Sequence, residues 1–169
     1  MKTFIKFGII IGIIDCLWFL GSIALITWVN PDILAYNART LAGLLSIIVL
    51  ILGIYFGLRE AKSKNQNTLT FKMSLIIGIK ISLVTAFLVS IFSFFYCTII
   101  NPNFAVFMVN EAEKSLMASG LPPQEMSIKL AHIKSEYSTS MQVIQALIGQ
   151  TFVGTIASCI IGFFIKTKK

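Results

Sequence analysis

Residues 73–100 read MSLIIGIKISLVTAFLVSIFSFFYCTII, an apolar run broken by a single charge, Lys80. It exceeds the ~20 residues that cross a hydrocarbon layer ~30 Å thick. Hydrocarbon offers no partner to exposed backbone groups, so such a run must be helical. A barrel strand would alternate apolar and polar residues instead. Three further segments share its character, from about Phe7 to Val29, Leu41 to Leu58 and Val143 to Ile165. Across the 169 residues, 56% are hydrophobic and 12% charged, with mean hydropathy +0.86. A soluble domain carries roughly 25% charged residues. The composition excludes both a water-soluble globule and a disordered chain. It predicts an all-α integral membrane protein with four transmembrane helices, a single membrane domain over residues 1–169.

The first span follows a basic start, but its apolar stretch outruns the ~7–15 residues of a signal-peptide core, so it reads as a retained span. Orientation follows the basic residues. Lys2, Lys6, Arg59, Lys62, Lys64, Lys72, Lys166, Lys168 and Lys169 fall on one side, and Arg39, Lys114, Lys129 and Lys134 on the other. The positive-inside rule then places the N and C termini in the cytoplasm. The acids Asp32, Glu111, Glu113, Glu125 and Glu136 fall outside and Glu60 inside. The net charge of +7 is therefore a topology signal and not a nucleic-acid footprint.

Between the third and fourth spans lies a segment longer than a connector needs, about 102–140. Pro102 suits a first helical position, and Ala105, Met108, Val109, Ala112 and Leu116 recur at helical spacing. Gly120 and Pro122-Pro123 stop that helix. Met126, Leu130, Ile133 and Tyr137 line one face of a second helix, with Glu125–Lys129 and His132–Glu136 pairs on its polar side. Ser138-Thr139-Ser140 offers caps for the fourth span. The expectation is an extracytoplasmic amphipathic helical hairpin. Residues 5–15 also align with residues 71–81, and both spans end at Asn-Pro, Asn30-Pro31 and Asn101-Pro102. An internal duplication would explain this, and so would the shared isoleucine-rich composition.

Helices in lipid associate where small residues let backbones approach. Ser74, Gly78, Ser82, Ala86 and Ser90 are small at every fourth position of the third span. Gly8 and Gly12 do the same in the first, Gly53 and Gly57 in the second, and Gly154, Ser158 and Gly162 in the fourth. These stripes predict a helix bundle.

Two charges fall inside spans, Asp15 and Lys80, each ~12–13 Å beyond a basic entry residue. Intramembrane charges are costly and face a partner or a wet cavity. An intramembrane polar pair at a functional site is one expectation; the others are a pair that only locks two helices, a Lys80 that snorkels to the interface and a desolvated Asp15 that holds its proton. Lys80 sits two residues from both Gly78 and Ser82, so it points away from the small-residue stripe.

His132 reads as a solvated surface residue. Met108, Met117, Met126 and Met141 are too irregularly spaced for a copper site. Cys16, Cys97 and Cys159 lie at different depths and read as buried apolar residues, not a disulfide framework. Trp18 and Trp28 read as lipid-facing or interfacial aromatics. There is no phosphate loop, dinucleotide fingerprint, paired-histidine motif or nucleophile elbow. No catalytic, cofactor-binding or metal-binding residue is expected, and the chain is not expected to be an enzyme.

Gly57-Leu58-Arg59-Glu60, Leu69-Thr70-Phe71-Lys72, Gly78-Ile79-Lys80-Ile81-Ser82-Leu83, Ile100-Asn101-Pro102-Asn103-Phe104 and Glu111-Ala112-Glu113-Lys114 stand in an order that resembles the small four-span bacterial membrane proteins called domain of unknown function 4199. The resemblance covers most of the chain and departs at Ala61, where a basic or aromatic residue is expected. It implies a multi-pass protein of the bacterial inner (cytoplasmic) membrane and carries no activity. The function expected is that of a non-enzymatic membrane component acting on lipid or on a membrane or envelope protein partner. The alternative is a homo-oligomeric transporter or channel subunit using Asp15 and Lys80.

Overall fold

The computed structural model describes residues 2–29 and 35–167, and among these it is all-helical. The expected Asn30-Pro31 turn, Asp32, Lys168 and Lys169 lie outside the described residues. The helices are α1 (Thr3–Val29), α2 (Ala35–Lys64), α3 (Phe71–Phe95), α4 (Phe104–Ala118), α5 (Pro123–Glu136) and α6 (Thr139–Ile165), with one π-helical turn at Tyr96–Ile100 closing α3. Four of them, α1, α2, α3 and α6, are long and apolar enough to cross a membrane. The cores of these helices match the expected spans, but their ends extend further. α2 starts six residues before Leu41 and runs through the polar Arg59–Lys64 stretch, where Lys64 reaches Glu60 at 2.7 Å.

Small residues decide how the four pack. α3 lies antiparallel on α6, with Ser74 against Gly162, Gly78 against Ser158 and Ser82 against Gly154. The partners advance four residues on one helix as they retreat four on the other, so each contact adds one turn to a continuous seam. A Cβ on Gly78 or Gly154 would overlap the facing serine. Ser82, Ser90 and Ser158 hydroxyls donate to the carbonyls of Gly78, Ala86 and Gly154. Each buried hydroxyl is thereby satisfied within its own helix. α1 runs parallel to α3, with Gly8 against Val84 and Gly12 against Leu88. The Thr85 hydroxyl bridges the two by donating to the Gly8 carbonyl at 3.2 Å. α2 closes the bundle, with Gly53 receiving Ile11 and Gly57 receiving Ile81 and Phe7.

The outward faces are apolar. Leu17, Leu44, Phe87, Phe152 and Phe164 are each more than half exposed. Water would not tolerate so continuous an apolar surface on a monomer, whereas lipid would. The two ends of the bundle differ. At the end holding the start of α1 and the end of α6, Lys6 pairs with Glu60 at 2.6 Å, and Lys62 Nζ donates to the Ile165 carbonyl at 2.8 Å. The Thr167 N–H donates to the Leu69 carbonyl at 2.9 Å, tying the end of α6 to the loop before α3.

The other end carries the α4–α5 hairpin. α4 begins at Phe104, with Asn103 as its N-cap, so Pro102 precedes the helix and does not open it. Gly120 takes φ +66° and ends the turn after α4, and Pro123 opens α5. The Ser138 hydroxyl caps α6 by accepting from the Met141 N–H. The hairpin does not stand free. Phe104, Met108, Ala112, Ile133 and Tyr137 form one buried cluster with Cys97 of the π-turn, and Phe19 and Tyr96 pack against it. Asn101, whose N–H donates to the Tyr96 carbonyl at 2.7 Å, closes the wide π-turn that aims Tyr96 and Cys97 at the hairpin.

Candidate functional site

In the half of the bundle that carries the hairpin lies a cavity of about 410 Å³ between α1, α2, α3 and α6, linked to the hairpin's dock through Phe19. Its wall includes Asp15, Trp18, Phe19, Arg39, Ser46, Ser93, Gln142, Gln145 and Gln150, an unusual concentration of polar groups for a bundle interior. Asp15, 4% exposed, sits at its inner end, near the middle of α1. One carboxylate oxygen accepts from the Ser46 hydroxyl at 2.8 Å and the other from the Gln150 amide at 3.2 Å. The acid therefore ties α1 to both α2 and α6.

One turn further along α1, Phe19 carries the Arg39 guanidinium over its ring, 3.8 Å from the centroid. Among the described residues, no hydrogen-bond acceptor or carboxylate reaches Arg39. The Trp18 indole N–H donates to the Ala42 carbonyl at 2.9 Å, pinning the cavity wall between the two charges. Phe19 is also the hub of the hairpin's dock. It meets Tyr96 edge-on at 4.8 Å, and Phe104 meets Tyr96 at 5.3 Å and Tyr137 at 6.0 Å. The hairpin, the π-turn and the cavity thus share one aromatic joint.

On the side of Asp15 away from the hairpin the bundle is closed. Ile11, Leu50, Ile54, Leu58, Ile81 and Ala157 form a dense apolar cluster there. The polar groups that line the cavity occupy the hairpin half of the bundle, and Asp15 is the deepest of its charged groups.

The expected pair of Asp15 with Lys80 is corrected by this arrangement. Lys80 is exposed on α3, and its ammonium lies 5.4 Å from the ring centroid of Phe4, in the first turn of α1. Asp15 is eleven residues further along that helix, ~16 Å away. Lys80 snorkels toward the termini, while Asp15 is satisfied by neutral amide and hydroxyl donors. Lys80→Gln should therefore change stability by no more than about 0.5 kcal/mol. Asp15→Leu should cost about 1–3 kcal/mol by leaving Ser46 and Gln150 unpaired. Unfolding titrations in detergent check this. A Lys80 loss as large as that of Asp15 would restore the pair.

The other expectations sort themselves by depth. Gly8, Gly12, Ser74, Gly78, Ser82, Ala86, Gly154, Ser158 and Gly162 sit at helix contacts and line no part of the cavity. Cys97 is buried, whereas Cys159 is exposed and Cys16 half-buried, so the reading of all three as buried holds only for Cys97. Trp18, read as lipid-facing, turns its indole inward. By sequence Arg39 is a charge outside the spans, and nothing marks Ser46 as functional. A spacing signal existed for Gln142, Gln145 and Gln150, which fall within two and a half turns on one side of α6.

The fold and cavity define a class: a four-helix bundle with spans of membrane-crossing length, a polar cavity in one half and a helical hairpin docked at that end. Within that class, the chain belongs to the family described as Protein of unknown function (DUF4199), which matches residues 6–167. No curated protein and no solved structure matches it.

Proposed function

We propose that this chain is a non-enzymatic, multi-pass protein of the bacterial inner membrane whose cavity binds a polar ligand. The termini would lie in the cytoplasm and the hairpin outside. The clustering of Lys6, Lys62, Lys64 and Lys166 at the termini's end of the bundle supports that orientation. The carrying observation is Asp15, held mid-helix by Ser46 and Gln150 at the floor of a 410 Å³ cavity. A carboxylate at that depth is expensive, and packing alone would be served by an apolar residue. Phe104, Met108, Ala112, Ile133 and Tyr137 dock the hairpin on the bundle, while Val106, Phe107, Met117 and Ile128 stay exposed and leave an apolar surface for lipid or an envelope partner.

A homo-oligomeric transporter or channel subunit remains the second reading, supported by the polar groups that run from the hairpin end to Asp15. The apolar cluster around Ile54 and Ile81 closes the other half, which favours binding over conduction.

Gly43 provides the test. It lines the cavity, and a side chain added there meets nothing within 4 Å. Gly43→Phe should plug the cavity without disturbing the bundle. Native mass spectrometry of the full chain released from nanodiscs should show a bound species in the wild type that the plugged variant loses. Equal retention by both would remove the cavity as the binding site.

A further inference from the structure

We infer that the ligand is a small zwitterion, its anionic group seated on Arg39 and its cationic group on Asp15. The inference rests on the cavity-binding reading above and names its ligand class. The argument is one of unsatisfied charge. Arg39 brings five N–H donors and no acceptor capacity. In this structure its guanidinium lies over the Phe19 face, with Tyr137, Tyr96 and Cys97 as electrostatic neighbours, and makes no hydrogen bond among the described residues. That leaves its in-plane donors for a carboxylate, phosphate or sulfonate. Asp15 has the complementary deficit. Each of its oxygens accepts one hydrogen bond, from Ser46 and from Gln150, and a carboxylate offers about four lone-pair sites. It has room for an ammonium.

The two charges line one cavity, yet they form no ion pair with each other among the described residues. The helices hold them apart. Phe19 lies four residues beyond Asp15 on α1, and Ser46 lies seven beyond Arg39 on α2. The axial offset between the two heads is therefore ~6–10 Å at 1.5 Å per residue. Two charge-assisted hydrogen bonds of about 2.8 Å each leave space between them for a short linker. An anion alone would leave Asp15 without a counter-charge and repelled, and a cation alone would leave Arg39 so. A molecule carrying both charges answers both at once. Gln145, Ser93 and the Trp18 ring supply neutral wall between the charges.

The same chemistry occurs in a free amine-bearing acid and in the headgroup of phosphatidylethanolamine. The order of charges favours the free solute. The acid that takes the ammonium lies deeper than the arginine, so a solute entering under the hairpin leads with its amine.

Phosphoethanolamine is the probe, with inorganic phosphate and ethanolamine as its two halves. The reporter is Trp18 emission in the full chain carrying Trp28→Phe, in nanodiscs of phosphatidylglycerol alone. Phosphoethanolamine should shift the emission saturably, at concentrations at least about tenfold below either half. Arg39→Gln and Asp15→Asn should each raise its half-saturation point about tenfold or more, while Arg39→Lys keeps much of the binding. Circular dichroism confirms that each variant retains its helices. Phosphate alone saturating as tightly as phosphoethanolamine would overturn the zwitterion and leave the cavity reading standing. So would unchanged binding in a folded Asp15→Asn. Silence from all three probes while Gly43→Phe still loses the native species would likewise defeat the zwitterion alone. Nanodiscs containing phosphatidylethanolamine separate the sources. A retained lipid displaced by phosphoethanolamine marks the headgroup, and equal titration in both lipids with none retained marks a free solute.

Discussion

Gly154→Leu is expected to destabilise the bundle by about 3 kcal/mol, the upper end of what overpacking costs. Gly154 faces the Ser82 side chain across the α3–α6 seam, and Ile54 of α2 lies 3.5 Å from the position its Cβ would take. A leucine there can neither rotate away nor push one neighbour without meeting the other. Both helices are locked by the next contacts of the same seam, Gly78 on Ser158 and Ser74 on Gly162. Gly21 makes the control, since a side chain added there meets nothing within 4 Å. Gly21→Leu should leave stability within about 0.5 kcal/mol of the wild type. Unfolding of the purified chain in mixed micelles, followed by circular dichroism, measures both. Equal midpoints for the two variants would mean that the seam does not hold the bundle.

Phe104→Ala is expected to release the hairpin, at a cost of about 3–5 kcal/mol for the buried ring. Phe104 is 2% exposed and touches Phe19, Tyr96 and Tyr137, one partner from each of α1, the π-turn and the end of α5. Its loss should expose the Ser119–Pro122 turn and both flanking helices to protease while the four long helices stay protected. Because Phe19 also carries Arg39, the same variant should weaken ligand binding in the cavity. Intact hairpin protection in Phe104→Ala would show that the hairpin is held by contacts other than this aromatic joint.

How much of this was legible in the residues varies with the kind of signal. Which small-residue stripe meets which was decided by the fold, but the stripes themselves were visible, because a residue that must be small at every fourth position leaves a period in the chain. So were the stop at Gly120, whose φ of +66° suits glycine, and the Ser138 cap. Asp15 announced itself by cost alone: a carboxylate in an apolar run needs a reason. Its partners did not. Lys80 was the obvious counter-charge by simple counting, yet the packing register sets Gly8 against Val84, so Lys80 lies level with Phe4 and far along α1 from Asp15. Counting from helix ends leaves the register between helices open, and register decides who meets whom.

Arg39 shows the same limit at a helix end. It stands near the start of α2, where charge is routine, so it was read as loop polarity. Only the docking of α4 and the π-turn over that end turns it from a solvated charge into a cavity wall. Ser46 and Gln150 are single polar residues within apolar helices, with no period to mark them. They matter because α2 and α6, both antiparallel to α1, bring them to one carboxylate from 31 and 135 residues away.

The chain by itself determined that there are four long apolar helices, which faces of them are small enough to touch, and that a helical hairpin interrupts the last two. Those are properties of composition and period, which act locally. The tertiary structure alone decided that the hairpin docks at one end, that Asp15 is answered by an amide and a hydroxyl, and that Arg39 lines a cavity with its guanidinium over Phe19. These depend on the rotation of each helix about its axis, which is settled jointly by every contact in the bundle.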